Sequence, residues 1–350
     1  MTAQRLDQIL SGLAEAAVAV VGDFFLDKYL EIDPALSETS LETGLEARQV
    51  VAMRCQPGAA GTIVANLCAL GIGRVICIGF VGDDGEGFEL LRGLRGLGAD
   101  ADRILVRPDR FTPTYRKPLV RHPDGRLREL ERLDTKNREP LAPNLEESLI
   151  AAVREVAPKV KAVIAQDQVR EQECGTITSG MRQALAELAE QHPNAVWFGD
   201  SRFRIGEYRN LIVKPNRQEV CRAIHPDTPP HDSAGAKHCA AMLSARIGRP
   251  VYLTLGADGM ALLSPDKAQP IPTARPEGEL DVVGAGDSAT AGIVSALCGG
   301  ATSEEAGVLG NIVASITVQQ IGTTGTATQA QVRQQFARHA QVWRDLPPSS

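Results

Sequence analysis

Asp281-Val-Val-Gly284-Ala285-Gly286-Asp287-Ser-Ala-Thr-Ala-Gly-Ile-Val-Ser-Ala-Leu-Cys298 sets two glycines in a tight turn, follows them with an acid, and runs on through small apolar residues. Glycine lets bare backbone approach a ligand closely. The first free N–H groups of a helix point out of its positive end, and such an end binds phosphate oxygens. Asp287 then stands where a hydroxyl would be deprotonated. The arrangement suits phosphoryl transfer from a nucleotide to an alcohol.

Upstream, short apolar runs at 18–21, 75–78, 162–165, 196–198, 211–213 and 251–255 alternate with helical patterns. Those helices are expected near 5–16, 60–70, 86–96, 143–156, 179–191, 232–246, 287–298 and 303–320. The alternation predicts an α/β fold with a doubly wound, mostly parallel sheet flanked by helices. Polar residues and glycines follow the strands: Gly22-Asp23, Gln166-Asp167, Gly199-Asp200, Lys214-Pro-Asn216 and Gly256-Ala-Asp-Gly259. In open α/β sheets the carboxyl ends of the strands form the ligand crevice. Any one of these turns could be an ordinary helix cap; five together, with Gly284–Asp287 beside them, point to one active-site edge.

Residues 28–57 and 111–134 break the rhythm with charged and β-prone stretches, and Pro123-Asp-Gly125 signals a hairpin turn. Both segments are expected to form a small β lid on a single domain spanning 1–345, with a frayed tail at 346–350. Their exposed strand edges suit pairing with a second copy, so a homodimer is expected.

The net charge of −6 argues against a nucleic-acid partner. No apolar run approaches the ~20 residues of a membrane span, and the first residues lack the layout of a secretion signal. Seven cysteines are scattered without a Cys-x-x-Cys pair, as expected of buried thiols in the cytoplasm. The six histidines show no zinc spacing.

Further stretches fall in a fixed order along the chain. Gly22-Asp23-Phe-Phe-Leu-Asp27 follows the first strand. Pro57-Gly58-Ala59-Ala60-Gly61-Thr62-Ile-Val-Ala-Asn66 opens a helix at a small-residue turn. Val81-Gly82-Asp83-Asp84-Gly85 and Arg132-Leu-Asp134 come next, then Lys214-Pro-Asn216-Arg-Gln-Glu219 and Leu253-Thr-Leu-Gly256-Ala-Asp-Gly259. The Asp281-x-x-Gly-Ala-Gly-Asp287 signature is the most specific of them. On these residues the chain resembles the ribokinase/PfkB family of carbohydrate kinases over nearly its whole length. Within that family it is most similar to the heptose 7-phosphate kinase module of bifunctional heptose kinase/adenylyltransferase proteins. A dinucleotide-binding dehydrogenase fails on motif position, because Gly22-Asp23 stands where its glycine fingerprint would follow the first strand.

The resemblance implies an ATP-dependent kinase that transfers the γ-phosphoryl group to a sugar hydroxyl, as on D-glycero-D-manno-heptose 7-phosphate. It makes Asp287 the base and the backbone N–H groups of residues 284–287 (Gly284, Ala285, Gly286 and Asp287 itself) the oxyanion cradle. At a helix N-terminus Asp287 is expected to stay ionised at neutral pH. Asp23, Asp27, Gly58, Ala59, Thr62, Asn66, Lys117 and Asp167 fall on the sugar side. Lys214, Asn216, Glu219, Thr254, Gly256, Gly259, Asn311 and Gly322 fall on the ATP side, with a helix expected after Gly256 and Gly259. Asn216 and Glu219, one helical turn apart, would order water on Mg²⁺, or simply form a capping box. Asp281 would help bind a monovalent cation such as K⁺, or brace the turn.

The sugar end departs from the family pattern. Thr62 stands for an expected Asn, Ala59 for a second glycine, Leu119 for an expected Arg, and Ser201-Arg202-Phe-Arg204 for a Pro-Lys pair. Arg116, Lys117, Arg121, Arg126 and Arg128, with Arg202 and Arg204, suit a substrate that already carries phosphate, or form a solvated face. No His-x-Gly-His motif of a nucleotidyltransferase occurs, so only the kinase reaction is expected. A kinase of a free sugar or nucleoside, and a non-catalytic sugar- or nucleotide-binding relative, remain the alternatives.

Overall fold

The computed structural model describes residues 1–121, 126–227, 229, 232–265 and 267–344. The expected turn at Pro123–Gly125 and the tail at 346–350 lie outside the described residues. In chain order the elements are α1 (Ala3–Ser11), β1 (Ala17–Gly22), β2 (Phe24–Thr39), β3 (Glu46–Ala59), α2 (Ala60–Ala69), β4 (Arg74–Gly82), α3 (Gly85–Gly96), β5 (Asp100–Arg107), β6 (Thr114–Arg121), β7 (Leu127–Glu129) and β8 (Leu133–Thr135). There follow α4 (Pro143–Val156), β9 (Ala162–Asp167), α5 (Ser179–Gln191), β10 (Val196–Ser201), β11 (Ile212–Val213), α6 (Arg217–Ile224), α7 (Ser233–Ile247), β12 (Val251–Thr254), β13 (Met260–Ser264) and β14 (Lys267–Ile271). The chain continues through α8 (Ala285–Cys298), α9 (Ser303–Thr317), α10 (Gln329–Arg338) and α11 (Ala340–Arg344).

The main sheet has the order β14-β13-β12-β11-β10-β9-β1-β4-β5. Neighbours from β5 to β12 pair in parallel, and β13 and β14 return antiparallel. Its central strands are apolar on both faces because helices cover both sides. Side chains alternate across a strand. Val18 and Val20 therefore enter the core beneath α1, α2, α8 and α9, while Ala19 and Val21 enter the opposite core beneath α4, α5 and α7. This winding brings the carboxyl ends of β1, β9, β10, β11 and β12 to one edge.

The second sheet runs β3-β2-β6-β7, with β8 also paired to β6. The long β2–β3 hairpin carries residues 28–57, and β6, β7 and β8 fall within 111–134. Its register aligns Arg54, Tyr29 and Lys117 in one row, and Gln56, Asp27 and Tyr115 in the next.

Where β3 meets α2, Ala59 takes φ 52° and ψ −115°. A Cβ is unfavourable there, and such residues store about 1–3 kcal/mol. The expected glycine is missing from the position that needs it. Ala59→Gly is expected to stabilise the fold by about 1 kcal/mol after its own entropy cost, read as a higher urea midpoint with an unchanged slope. An unchanged or lower midpoint would refute stored strain at this residue.

Candidate active site

Side chains cap α3, α5, α6, α7, α9 and α10, whereas α8 opens on Gly284 at φ 79° with no side-chain cap. A glycine supplies that backbone angle without strain. The Ala285 N–H turns back to the Val282 carbonyl at 3.2 Å. That bond takes Ala285 out of the expected cradle of residues 284–287 and leaves the N–H groups of Gly284, Gly286 and Asp287 without a partner among the described residues. The turn is tightly backed: a Cβ on Gly284 would lie 3.3 Å from the methyls of Thr62 and Thr324.

Four charged side chains meet in front of this terminus. Lys214, buried at the end of β11, places Nζ 2.9 Å from Asp200 Oδ2 and about 3.4 Å from where a Gly286 Cβ would sit. The Thr290 hydroxyl donates to the same Asp200 oxygen at 2.9 Å. The Gln166 amide donates to Asp287 Oδ1 at 3.3 Å. Burial and the Asp200 carboxylate push Asp287 up to about 7, against the pull of Lys214 and the exposed Arg202. This corrects the expectation of an acid ionised well below neutrality: desolvation and a like charge outweigh the helix terminus. Glu219 is likewise raised to about 7 by burial and Asp200. Burial pulls the Lys214 amine down, but Asp200, Glu219 and Asp287 more than offset this and hold it above its ordinary value.

Asn216 and Glu219 form a capping box on α6. Asn216 Oδ1 accepts the Glu219 N–H at 2.9 Å, and Glu219 Oε2 accepts the Asn216 N–H at 2.7 Å. The cap alone accounts for their spacing. Three carboxylates, Asp200, Glu219 and Asp287, nevertheless face the single Lys214 amine, and two of them are driven to about 7. That surplus of negative charge fits a cation. Among the described residues no group of three or more His, Cys, Asp or Glu side chains could hold a metal directly. Asp281 resolves differently. Its two oxygens accept the N–H groups of Val283 and Gly322, each at 3.0 Å, so it braces the turn and does not present a cation site.

At the sugar end the structure separates the expected residues. Asp23 is turned inward: its oxygens accept the amides of Gln168 (2.8 Å), Val169 (3.0 Å) and Thr176 (2.7 Å). It braces the loop after β9, a correction to its expected contact with sugar. Asn66 is also corrected. It is fully buried, and its amide bonds Thr62 O, Ser288 Oγ and Gly325 O, joining α2, α8 and the 325 turn. Thr62 is 1% exposed and its hydroxyl has no partner, so its methyl backs Gly284 while its oxygen is sealed from the cleft. Asp167 is held by Ser201 (2.8 Å) and Arg204 (3.3 Å), which neutralises Arg204 as well.

Asp27 and Lys117 differ from these. They pair at 3.2 Å on the inner face of the second sheet, with Lys117 also donating to the Tyr29 hydroxyl at 3.2 Å. Gly58 adjoins them, since a Cβ there would lie 2.9 Å from Asp27 Oδ2. The neighbouring cations are mostly neutralised. Arg116 and Lys28 share Glu86, and Arg121 pairs with Glu31. Arg202 lies exposed past the end of β10.

On the side expected to face the nucleotide, Gly256 has open space where a Cβ would stand. The helix expected after Gly256 and Gly259 is absent. A 3-10 turn spans Gly256–Asp258 and β13 follows it, because Leu255 N–H bonds Gly259 O and closes a hairpin. Thr254 N–H bonds Pro215 O at 3.0 Å and ties β12 to the Lys214 loop. Asn311 is corrected from a ligand contact to a tether, its amide donating to Ile271 O and Pro272 O. Gly322 belongs to the loop that Asp281 braces.

Several partners escaped the sequence reading: Asp200 as the counter-ion of Lys214, Gln166 on Asp287, Thr290 on Asp200, and the Arg54–Tyr29 pair. The first three were visible as polar residues after strands or in α8. The last depends on strand register and left no local signal.

A doubly wound sheet whose strand ends gather an open helix terminus, a buried lysine and a carboxylate poised near neutrality defines a phosphotransferase of the α/β sugar-kinase class. The model described as pfkB family carbohydrate kinase matches residues 24–330, and the chain belongs to that family. It is a carbohydrate kinase. The bifunctional protein HldE of Desulfatibacillum aliphaticivorans is 29% identical over 330 residues, covering 93% of this chain and 64% of that relative. The HldE protein of Gluconobacter oxydans is 28% identical, covering 82% of this chain and 57% of the relative. The chain thus spans less than two thirds of the length of these curated relatives. The fold is similar to Arabidopsis thaliana ribokinase complexed with ribose and ATP, with a TM-score of 0.67 at 19% identity over 91% of this chain and 98% of that one. It is also similar to Escherichia coli phosphofructokinase-2, with a TM-score of 0.66 at 15% identity over 93% of this chain and 99% of that one.

Proposed function

We propose that this kinase transfers the γ-phosphoryl group of ATP to a hydroxyl of a sugar that already carries phosphate, D-glycero-D-manno-heptose 7-phosphate being the leading candidate. The observation that carries the transfer chemistry is Asp287 beside the uncapped Gly286 amide, with Lys214 buried alongside. The heptose assignment rests on the sequence resemblance and on the curated HldE relatives. ATP as donor is supported by the ribokinase that is similar in fold and was solved with ribose and ATP.

In this reading the chain to residue 345 is one kinase domain and segments 28–57 and 111–134 are its β lid. Phosphoryl transfer asks for positioning and charge stabilisation more than covalent chemistry. Asp27 and Lys117 hold the acceptor under the second sheet. Asp287 accepts the hydroxyl proton; a base near pH 7 is well matched to that task. The amides of Gly286 and Asp287 and the Lys214 ammonium stabilise charge on the moving phosphoryl oxygens. Asn216 and Glu219 would hold Mg²⁺ through water, and that ion would supply charge neutralisation between the phosphates. Arg202 would meet the acceptor's own phosphate.

Incubation with ATP, Mg²⁺ and a panel of free sugars, nucleosides and sugar phosphates tests the reading by ADP release. Turnover of free sugars alone rejects a phosphorylated acceptor. Tight binding without ADP release points to a non-catalytic relative. A free sugar is the second reading, favoured because Arg116, Lys117 and Arg121 are already paired with Glu86, Asp27 and Glu31.

A homodimer through the second sheet is part of the proposal. Its edge strand β3 leaves Val51 and Met53 exposed at 55% and 65%, the kind of edge that a partner strand or surface covers. Light scattering is expected to give twice the chain mass of 37.4 kDa; the mass of one chain at micromolar concentration would reject it. Seven unpaired cysteines fit the cytoplasm as the working compartment. Among the described residues no helix is long and apolar enough to cross a membrane.

A further inference from the structure

The row Arg54–Tyr29–Lys117 crosses three strands of the second sheet and touches both sides of the cleft. At one end Lys117 pairs with Asp27 at 3.2 Å and donates to the Tyr29 hydroxyl at 3.2 Å. In the middle the Arg54 guanidinium lies 3.9 Å above the Tyr29 ring, close enough for a cation–π contact. At the other end Arg54 Nη2 donates to the Gly322 carbonyl at 2.7 Å. The Gly322 N–H bonds Asp281, whose other oxygen holds Val283 beside the Gly284 turn. The adjacent row repeats the link, since the Gln56 amide donates to Thr323 Oγ1 at 2.6 Å. Thr324, the next residue, packs on Gly284. The hairpin carrying the Asp27 carboxylate is thus fastened to the loop that backs the anion-binding turn.

We propose that Arg54 is a positioning residue that couples the acceptor site to the nucleotide site, so that each substrate binds more tightly when the other is present. The inference rests on the functional reading above and adds a role for a residue that touches neither reacting atom. An acceptor that settles Asp27 and Lys117 settles the Tyr29 ring and hence the guanidinium on it. The guanidinium in turn holds the 322–324 loop against the Gly284 turn. Two such sites share a coupling free energy that is necessarily reciprocal. Removing Arg54 cuts the branch that runs through the Tyr29 ring and leaves the parallel Gln56–Thr323 bond, with Asp27, Lys117, Asp281 and Asp287 in place.

The test is titration calorimetry with the non-hydrolysable analogue AMP-PNP and Mg²⁺, with and without saturating D-glycero-D-manno-heptose 7-phosphate. The wild type is expected to bind the analogue at least about fivefold more tightly with the sugar phosphate present, the low end of ordinary allosteric coupling. In Arg54→Ala that ratio is expected to fall by about half or more, and in Arg54→Ala/Gln56→Ala, which removes both links, to within about twofold of one. Arg54→Lys, which keeps the charge and loses the planar stacking group, is expected to fall between Arg54→Ala and the wild type. A wild-type ratio near one, or a ratio unchanged in Arg54→Ala, overturns the proposal. If Arg54→Ala unfolds at a lower urea concentration, the ratio in Arg54→Lys decides in the same way. Loss of all turnover and acceptor binding in the wild type would instead overturn the functional reading, which separates the two failures.

Discussion

Asp287→Asn is expected to lower kcat by about a thousandfold or more while AMP-PNP binding stays near the wild-type value, the range of loss when a positioned general base is removed. The substitution keeps the shape of the side chain and its place in the first turn of α8, so the change is confined to proton affinity. A second readout comes from pH. kcat/KM reports groups of the free enzyme, and burial with Asp200 places Asp287 at about 7. Catalysis needs the carboxylate, so wild-type kcat/KM is expected to rise with pH below about 7 and level off above it; the residual activity of the variant should lack that rise. Stability should move the other way. A carboxyl whose folded pKa is raised holds its proton more tightly in the folded state. Its contribution is intact below the unfolded value near 4 and is lost as pH rises through about 7. At pH values above about 7 Asp287→Asn should therefore resist urea better than the wild type, the pattern of a side chain kept for activity at a cost in stability. Retention of more than a few per cent of kcat would remove Asp287 as the base.

Lys214→Ala is expected to damage both folding and turnover. Lys214 and Asp200 are 4% and 7% exposed and lie 2.9 Å apart. Taking one partner from a buried pair leaves an uncompensated charge, typically at a cost of 3–5 kcal/mol, roughly. Asp200 would keep only its bond from Thr290. Turnover should fall by about a hundredfold or more, as when a charge-stabilising donor is lost from a phosphoryl site. The two effects separate in Lys214→Met/Asp200→Asn, which removes both charges and keeps an acceptor for Thr290. That double variant is expected to recover most of the lost urea resistance and none of the lost kcat. Recovery of both would make Lys214 a purely structural partner of Asp200. Loss of neither in the single variant would refute the buried pair.

The main sheet was legible because its strands are buried on both faces and their apolar runs need no tertiary context to be seen. β5, β13 and β14 were missed: Asp100–Arg107 is a half-exposed edge strand broken by charged residues, while Met260–Ser264 and Lys267–Ile271 are short and the glycines before them read equally well as the start of a helix. The candidate site was legible where backbone does the work. The glycine turn at 284–286 and the acid after it are local features that a chain states outright. Asp23 and Asn66 misled because a polar residue at a strand end or inside a helix serves a ligand or a loop with the same side chain. Only the amides that claim those oxygens decide which. The height of the Asp287 pKa was equally hidden, since it depends on Asp200, a residue from another strand.

The thiols carry a practical consequence. All seven are unpaired. Burial pushes Cys68 and Cys221 up to about 11 and Cys298 up to about 12, and it raises Cys55, Cys77 and Cys174 as well. Thiolate is the species that alkylating reagents attack, so these six offer them little, and Cys239 is fully buried. A cysteine introduced at the exposed Leu41, in the turn between β2 and β3, would stand out against that quiet background. A fluorophore placed there could follow the approach of the hairpin to the cleft without first stripping the protein of its own sulfur.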